Sequence, residues 1–489
     1  MPKTLLVEMK SIIAQFRETV VGNMQCWAAA RTPQAFSAVE QEAHAAARKV
    51  ADDVVAAVLR DILGDISFQA QCLAGAHSVG QYRSKGFKQT SVTLLGGNSY
   101  PIRTQYLLPP AMGSSRRRRP GVGLWPCLVA LGIWWQCSPA LAGETARQIA
   151  DSCSFRDALE VLKRRGIALG YKRTLALYQR FSQRTAEQRD AWVDKMVNAG
   201  STGLAETGPL SGRTVLVSTD GGRCRERRPK PGRRLANGHH RYNTPWREPK
   251  EIVKYVLDDE GRPDRQWLPI YDGTMGDCDD IFFILWAYLG ALGVHEAKQV
   301  IFVADGAKWI WQRTSWLWAA VGLAPNKVVE VVDWYHAVET LHTIAKACRW
   351  GESRRKAWVR KVQGYLYRDD VERVVAEIEA LAIGRRAKAV LEHRDYFQRN
   401  AGRMRYQALR AQKLPMGSGA MESAVRRVIN LKLKSPGKFW LLVNAEATLH
   451  LRSYLKAGHW DHLVSRTLDW AIPWSNHQVP FLPELSNAA

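Results

Sequence analysis

The sequence predicts a multidomain protein of α and α/β class, in which helical regions precede a mixed-sheet α/β core. Three observations predict this architecture. Apolar residues recur at helical spacing over residues 1 to about 85. After residue 205, apolar runs of strand length alternate with longer helical patterns. From about 337 to 410 the chain is charge-rich and helical without a strand candidate, which predicts an all-helical insertion in the core.

These changes of pattern also predict where the regions of the 489-residue chain begin and end. The predicted regions are an N-terminal helical region with a small β-hairpin (1–110), a helix-turn-helix-like DNA-binding region (111–205), the first part of the α/β core (206–336), the helical insertion (337–411), the second part of the core (412–470) and a C-terminal tail (471–489).

In the N-terminal part, two β-rich runs flank Gly-Gly-Asn in QTSVTLLGGNSYPIRTQYLLP, which predicts a hairpin. A basic run, Arg116–Arg119, then precedes the apolar stretch Leu124–Trp135. That stretch contains Pro126 and is shorter than the roughly 20 residues needed to span a bilayer. We therefore predict a buried helix beside a phosphate-facing basic run, and no membrane; a spanning helix is the alternative.

Between about 140 and 200 the pattern predicts three short amphipathic helices, ETARQIADS, SFRDALEVLKRRG and YKRTLALYQRFSQ. Ser154 is predicted to cap the second helix and Gly166 to end it. The third helix carries Lys172, Arg173 and Arg180. A basic last helix is typical of a helix-turn-helix, whose recognition helix enters the major groove. Ordinary three-helix packing with a solvated basic face is the alternative.

The core elements follow in a definite order. RTVLVSTDGG is predicted to be a strand that ends on Asp220, and KQVIFVADGA a strand that ends on Asp305. The remaining predicted elements are the hairpin pair EIVKYVLDDEGR and RQWLPIYDGTMG, the helices DDIFFILWAYLGALG and KWIWQRTSWLWAAVG, the strand KVVEVVDWYHA, and a last major helix in GSGAMESAVRRVINLKLK with Glu422 in its first turns. Asp272-Gly273 is assigned to a turn, and Asp277, Asp279 and Asp280 to a helix start.

The composition favours a polyanion-binding protein. Lys and Arg number 70 against 46 Asp and Glu, a net charge of +24, and neutralising phosphates releases counterions and strengthens binding. The 19 Trp are predicted to be mostly core residues. Eight Cys without a CxxC pair argue against a zinc ribbon or a disulfide framework. They fit a reducing cytosol, so we expect a cytoplasmic, nucleoid-associated protein.

Asp220, Asp305 and Glu422 are the candidate catalytic residues. Carboxylates at two strand ends and one helix start can converge although they lie far apart in sequence. Hard oxygen donors without cysteine favour Mg²⁺, or Mn²⁺ in its place. Two such ions would activate an attacking oxygen and stabilise the leaving one in phosphodiester chemistry. The glycines after each Asp are predicted to let a DNA backbone come close.

The sequence also resembles a known protein family. The motifs STDGG, ADGAKWIW, VVDWYHA and GSGAMESAVRR, the strand order and the helical insertion resemble those of DDE transposases of bacterial insertion sequences, with the Kra-type group closest and a broader similarity to Mutator-type transposases. The resemblance covers about residues 110 to 460. It implies an RNase H-like core in 206–336 and 412–460, with Asp220, Asp305 and Glu422 as metal ligands. It also implies binding of terminal inverted repeats, cleavage at the element ends and strand transfer into target DNA, by a homodimer or higher oligomer on double-stranded DNA.

Further residues are predicted around that centre. Asp333 and His336 resemble the family's Asp-x-x-His element: His336 would contact the scissile phosphate or a metal-bound water, and Asp333 would support it or cap the helix. A structural role for His336 is the alternative. Trp309 either stacks on an unpaired base or packs in the core. The segment Arg223–Arg241 is predicted to be a flexible phosphate-binding arm. The predicted DNA-binding residues are Arg223, Arg225, Arg227, Arg228, Lys230, Arg233, Arg234, Lys172, Arg173, Trp309, Arg426 and Arg427.

Two other functions remain open from the sequence. One is a metal-dependent nuclease on the same core, which cuts without strand transfer. The other is a non-catalytic DNA-binding protein derived from a transposase, against which the intact Asp220, Asp305 and Glu422 argue.

Overall fold

The computed structural model describes residues 3–109 and 123–486. The chain divides into two compact units. The first unit comprises Met1–Gln188 and Trp460–Phe481, and the second comprises Arg189–His459 and Leu482–Ala489. The predicted phosphate-facing run Arg116–Arg119 and the region boundary at 110 lie outside the described residues.

The first unit is mainly helical. Its elements are α1 (Lys3–Ala30), α2 (Pro33–Gly64), α3 (Ile66–Val79), β1 (Arg83–Thr93), β2 (Ser99–Leu108), α4 (Pro126–Ala130), α5 (Pro139–Asp151), α6 (Phe155–Arg164), most of α7 (Tyr171–Ala199) and α17 (Trp460–Trp470).

The predicted hairpin is confirmed, since β1 and β2 pair in antiparallel register around the Gly-Gly-Asn turn. The carboxylate of Asp52, on α2, fixes that turn by accepting hydrogen bonds from Gly96 N at 2.9 Å and from Asn98 N at 3.1 Å. Asp52 is only 4% exposed, so its charge is held by these N–H donors rather than by water. The helix α2 and the hairpin are thereby joined into one packed layer.

The prediction of one buried helix over Leu124–Trp135 is wrong. Only the five residues of α4 are helical, because Leu124 pairs with Leu107 in a short β-bridge and Gly132 turns the chain at φ +64°. The apolar side chains are buried as predicted, and Cys127 and Leu128 belong to the core under the hairpin. Within residues 3–109 and 123–486, no helix is both long and apolar enough to cross a membrane.

The three amphipathic helices after residue 138 are present as α5, α6 and α7. Ser154 caps α6 by accepting from Asp157 N at 3.1 Å, and Gly166 follows the helix end at φ +87°. Both were predicted from the sequence. The third helix was predicted to be short, but α7 runs for 29 residues. Its buried residues, among them Leu177 and Phe181, continue at helical spacing to Met196.

The second unit combines a mixed sheet with helices. Its elements after α7 are β3 (Thr214–Gly221), β4 (Cys224–Arg225), β5 (Arg228–Pro229), β6 (Tyr242–Asn243), β7 (Trp246–Arg247), β8 (Lys250–Leu257), β9 (Ile270–Thr274), α8 (Cys278–Ala291), β10 (Gln299–Ala304), α9 (Lys308–Ala320), β11 (Val328–Val332), α10 (Trp334–Ala347), α11 (Glu352–Leu366), α12 (Val371–Glu379), α13 (Ala387–Asn400), α14 (Tyr406–Ala411), α15 (Gly419–Val425) and α16 (Leu442–Ala457).

The main sheet has five strands in the order β11-β10-β3-β8-β9. The strands β3, β10 and β11 are parallel, and β8 and β9 are antiparallel to their neighbours. The predicted order of strands and helices is therefore confirmed, including the hairpin pair β8–β9 and the helical insertion α10–α14. The carboxyl ends of the two central parallel strands, β3 and β10, lie side by side.

Helices cover both faces of this sheet. On one face, Val253 and Tyr271 pack with residues of α15 and α16, such as Met421 and Leu449, in a single apolar cluster. On the other face, Phe302 packs against Trp311 and Trp318 of α9 at ring distances of 5.7 and 5.4 Å. Because side chains alternate along a strand, Asp220, which pairs with Glu251, is on the α15 face.

The assignment of Asp272-Gly273 to a turn is wrong, since both residues lie inside β9. The Asp272 carboxylate is fully buried and accepts hydrogen bonds from Tyr288 OH at 2.8 Å and from His450 Nδ1 at 2.9 Å. The Arg189 guanidinium lies 3.5 Å away. A buried charge is tolerated when it is paired and hydrogen-bonded, so remote partners allow an Asp-Gly pair within a buried strand.

The helix starts of the core were predicted correctly. Asp277 forms a capping box with Asp280 at the start of α8, and Asp333 caps α10 by accepting from His336 N at 3.0 Å. Glu422 lies in the first turn of α15, as predicted. The predicted last major helix changes its winding, however: α15 has seven residues, and the helix continues in π-helical form over Arg426–Asn430.

Candidate active site

Asp220, near the carboxyl end of β3, and Asp305, directly after β10, lie at the same edge of the sheet, because the two strands are parallel neighbours. The register Ser218↔Val303 brings residues 220 and 305 level with each other. The Asp220 Oδ1 atom accepts from Gly221 N at 2.6 Å, and the Asp305 Oδ1 atom accepts from Ala307 N at 3.0 Å. The second oxygen of each carboxylate is not used in these turns.

Burial and electrostatic repulsion disfavour the ionised forms of Asp220 and Asp305. Burial raises the pKa of Asp220 to about 6, and the Asp305 charge adds to this rise, while the Gly221 hydrogen bond and His336 oppose it. Burial likewise raises the pKa of Asp305, against the effects of Ala307 N–H and His336. A cation between the two carboxylates would remove both penalties, so the pair has the electrostatic character of a cation site.

This raised pKa predicts a pH dependence in metal-free buffer. Because the folded-state pKa of Asp220, about 6, exceeds its ordinary value of 3.8, its contribution to stability is complete below pH about 4 and is lost as the pH rises through 6. Asp220→Asn cannot ionise, so it should gain on the order of 2 kcal/mol relative to the parent between pH 4.5 and 7.5. Urea unfolding in EDTA measures this difference, and a difference independent of pH would contradict the assigned electrostatics.

His336 and Asp333 lie next to this pair, as the sequence predicted. His336 is close enough to both aspartates that its charge lowers the pKa of each, and its side chain is 36% exposed. Asp333 is fully buried and accepts from the backbone N–H of His336 and of Ser418. Asp333 thus positions His336 and also holds the Gly-Ser-Gly segment that leads to Glu422.

Glu422 is on the same face of the sheet but does not complete a group with the aspartates. Its side chain is exposed on the first turn of α15, and α15 packs against β3 and β8. Within the described ranges, no three His, Cys, Asp or Glu side chains are arranged to hold a metal ion. The donor chemistry of Asp220 and Asp305 fits Mg²⁺ or Mn²⁺, whereas the role of Glu422 as third ligand stays a prediction.

A further acidic residue, Glu251, lies beside the pair and was missed from the sequence. It is the cross-strand partner of Asp220 and is fully buried. Neither of its carboxylate oxygens has a hydrogen-bond partner among the described residues. Burial raises its pKa well above the usual range, with Asp272 raising it further. An acid within the apolar run EIVKYV was the available signal, but an isolated strand pattern does not show which face is buried.

Tyr396 of the helical insertion also reaches this site. A Cβ atom on Gly306 would lie 1.9 Å from Tyr396 Cε2, so the ring occupies the space beside Gly306. Burial raises the pKa of Tyr396, as do the charges of Asp305 and Asp333. In the same way Ile429 occupies the space beside Gly222, at 2.6 Å. Gly222 and Gly306 therefore accommodate the protein's own side chains, and the approach of a DNA backbone to them stays a prediction.

The contact between Gly306 and Tyr396 predicts a coupled pair of substitutions. Gly306→Ala should destabilise the fold by about 2 kcal/mol, because an aromatic ring and a backbone segment must move apart. In a Tyr396→Ala background, the same change should cost markedly less, giving a coupling energy of about 1 kcal/mol or more. Urea unfolding of the four proteins measures this cycle. Additive costs would show that Tyr396 does not fill the space beside Gly306.

The remaining predicted DNA-binding residues differ in their surroundings. Trp309 is half-buried, packs edge-on against Phe282 at 6.3 Å and has Lys250 Nζ 5.7 Å from its ring centre, which favours the core-packing alternative. Arg427 donates to Tyr271 OH at 2.7 Å, and Arg173 donates to Gln136 O at 2.8 Å. Both guanidinium groups thus stabilise the protein itself, whereas Lys172 and Arg426 are exposed.

The predicted arm is more ordered than a flexible loop. Two short antiparallel ladders, β4–β7 and β5–β6, close it. Glu226 pairs with Arg247 at 2.6 Å and with Arg228 at 3.2 Å. The other predicted residues of the arm, Arg223, Arg225, Arg227, Lys230, Arg233 and Arg234, are exposed.

Comparison of the chain with models of protein families, with curated proteins and with solved structures finds no match. The structure brings Asp220, Asp305, Asp333 and His336 together at one sheet edge, and it adds Glu251 and Tyr396 to them.

Proposed function

We propose that this chain is a DDE-type DNA transposase with an RNase H-like core, which binds the end repeats of an insertion sequence, cleaves the DNA and joins it to a target. The observation that carries the proposal is the pair of partly buried aspartates at the ends of β3 and β10, whose charges repel each other and call for a cation. Mg²⁺, with Mn²⁺ as a substitute and two ions in all, is the cofactor proposed.

The mixed sheet supports this reading. Three neighbouring strands, β3, β8 and β9, pair antiparallel, and β10 and β11 add in parallel beyond β3. A helical insertion separates β11 from the helix that bears Glu422. This order of strands and helices supports the RNase H-like core that the resemblance to DDE transposases implies.

The chain's own residues have distinct tasks in the proposed reaction. A bound divalent cation supplies charge neutralisation of the scissile phosphate and activation of the attacking oxygen. Asp220 and Asp305 would hold that cation. His336, half-exposed and adjacent to both, contacts the phosphate, and Asp333 fixes its backbone. Glu422 lies one helical turn after Ser418, whose backbone N–H donates to the Asp333 carboxylate.

The positive charge supports DNA as the substrate. The formal net charge of the chain is +24, and residues 223–247 contain eight Arg and one Lys but a single acidic residue. We propose that the arm contacts phosphates of double-stranded DNA, and that the protein acts as a homodimer or higher oligomer at the nucleoid.

Removal of arm charges should weaken DNA binding and flatten its salt dependence. Replacing Arg233 and Arg234, both exposed, with alanine removes two phosphate contacts at most, so the slope of log K against log salt should fall by about 1 to 2. Fluorescence anisotropy with duplex DNA over a salt series measures the slope. An unchanged slope would show that the arm is a solvated surface.

The experiment that tests the proposal is an assay on the DNA that flanks the gene in its native element. With Mg²⁺, a transposase produces cleaved ends and joins a labelled 3′ end to a target plasmid. Cleavage without joined product would favour the alternative, a metal-dependent nuclease. Binding without cleavage in any divalent cation would favour a non-catalytic DNA-binding protein and would overturn the proposal.

A further inference from the structure

The arm between β3 and β8 has two different faces. In its ladders, Arg225 pairs with Trp246, and Pro229 pairs with Tyr242. Since directly paired residues share a face and residues two apart on a strand do as well, Arg225, Arg227, Tyr242 and Trp246 all lie on one side. We call these four residues the aromatic face of the arm.

The opposite face is closed by the protein itself. Cys224 is fully buried there, and Glu226 is 11% exposed and paired with Arg228 and Arg247. The only carboxylate of the arm is thus neutralised on the side away from the aromatic face. The charge on the aromatic face remains positive.

On the aromatic face, each ring is paired with a guanidinium group. Arg225 lies 4.7 Å from the centre of the Trp246 ring, and Arg227 lies 4.7 Å from the centre of the Tyr242 ring. The rings are nevertheless open to solvent, with Trp246 51% and Tyr242 40% exposed. Exposed aromatic rings held rigidly by cations offer flat surfaces for another π system.

The aromatic face is fixed to the core rather than free to collapse. Arg227 N donates to Trp440 O at 2.6 Å, and Trp440 N donates to Arg225 O at 2.9 Å. The Phe439 ring contacts Tyr242 at 5.7 Å. A cavity of about 330 Å³ opens beside Tyr242, lined by Arg227, Pro229, His240, Arg241, Tyr242 and Leu441.

We propose that the aromatic face binds unpaired nucleotides of single-stranded DNA, with bases stacked on Trp246 and Tyr242 and phosphates paired with Arg225 and Arg227. Bases in a duplex already stack on each other, so exposed rings gain from an unpaired base, whereas arginines alone would serve duplex and single strand alike. The inference rests on the proposed function, because a strand end released by cleavage can unpair next to the site, and the arm starts directly after the Asp220-Gly221-Gly222 segment.

Binding of fluorescein-labelled oligothymidylate in EDTA, compared with a hairpin duplex, tests this assignment. Trp246→Ala and Tyr242→Ala should each weaken binding of the single strand by about tenfold, with less than about twofold effect on the duplex. Trp246→Phe keeps a ring and should retain most of the affinity. Trp316→Ala, which removes a 44% exposed Trp from α9, is the matched control and should change neither affinity.

Equal losses for single strand and duplex, or no loss for either, would overturn the aromatic face as a base-binding site. Circular dichroism of each variant excludes unfolding, and Tyr242→Ala provides the answer if Trp246→Ala fails to fold. Because the assay contains no divalent cation and no cleavage step, a failure here leaves the proposed transposase activity standing. Conversely, loss of the single-strand preference in the variants would support the aromatic face even for a protein that does not join DNA.

Discussion

Asp305→Asn should abolish Mg²⁺-dependent DNA cleavage while binding to the same DNA stays nearly intact. The asparagine oxygen still accepts from Ala307 N, as the carboxylate does at 3.0 Å, so the turn after β10 is preserved. The negative charge that holds the cation is lost, however. Stabilisation of transition-state charge by a metal ion amounts to several kcal/mol, so we expect a fall in cleavage rate of about 1,000-fold or more.

Asp259→Asn makes the same chemical change at an exposed position after β8 and should leave cleavage and binding unaltered. Glu422→Gln should also abolish cleavage if Glu422 joins the two aspartates on DNA. Full activity of Asp305→Asn would remove this residue from the catalytic centre.

Asp272→Ala should give the largest loss of stability. Burial alone would raise the pKa of Asp272, but His450 and Arg189 together with the Tyr288 hydrogen bond lower it below the usual range. Arg189 is only 2% exposed, so removal of its carboxylate leaves a buried cation with less compensation. Breaking a buried pair in this way typically costs about 3–5 kcal/mol, and urea unfolding measures the loss.

Asp190 provides the matched control, because it pairs with the same Arg189 at 2.7 Å but is 59% exposed. Asp190→Ala should cost less than about 1 kcal/mol, as solvent-exposed ion pairs generally do. Similar losses in the two variants would mean that burial of Asp272 does not determine the strength of this network.

The sequence predicted the order of the core elements because each has a local signature. Apolar runs of strand length end at Asp220 and Asp305, and the two aspartates do lie level in the sheet. Helix caps are equally local: Ser154, Asp277 and Asp333 each accept a backbone N–H two or three residues ahead. Local hydrogen bonds of this kind are encoded within one turn of chain.

Other features could not be predicted because their partners are remote. Asp272 can lie in a buried strand because Arg189 and His450 pair with its carboxylate. His450 lies 178 residues away in the sequence. Tyr396 reaches the active site from a helix whose charged sequence indicates only a solvated face. Neither contact leaves a periodic pattern, since it depends on how the insertion and α16 pack against the sheet.

Helix length and winding were misjudged for a related reason. The helix α7 continues far beyond its predicted end because buried side chains extend along it to Met196. The helix α15 continues in π-helical form, which brings Val428 and Ile429 into the core. In both cases tertiary packing overrides the local propensity.

Direct measurement of Mn²⁺ binding tests whether Asp220 and Asp305 form one divalent-cation site. Titration of the DNA-free protein with Mn²⁺, followed by electron paramagnetic resonance, should show bound ion for the parent and for Asp259→Asn. Binding should be lost in Asp220→Asn and in Asp305→Asn, and Glu422→Gln reports whether the third carboxylate joins them. Undiminished Mn²⁺ binding in both aspartate variants would show that Asp220 and Asp305 do not form a divalent-cation site.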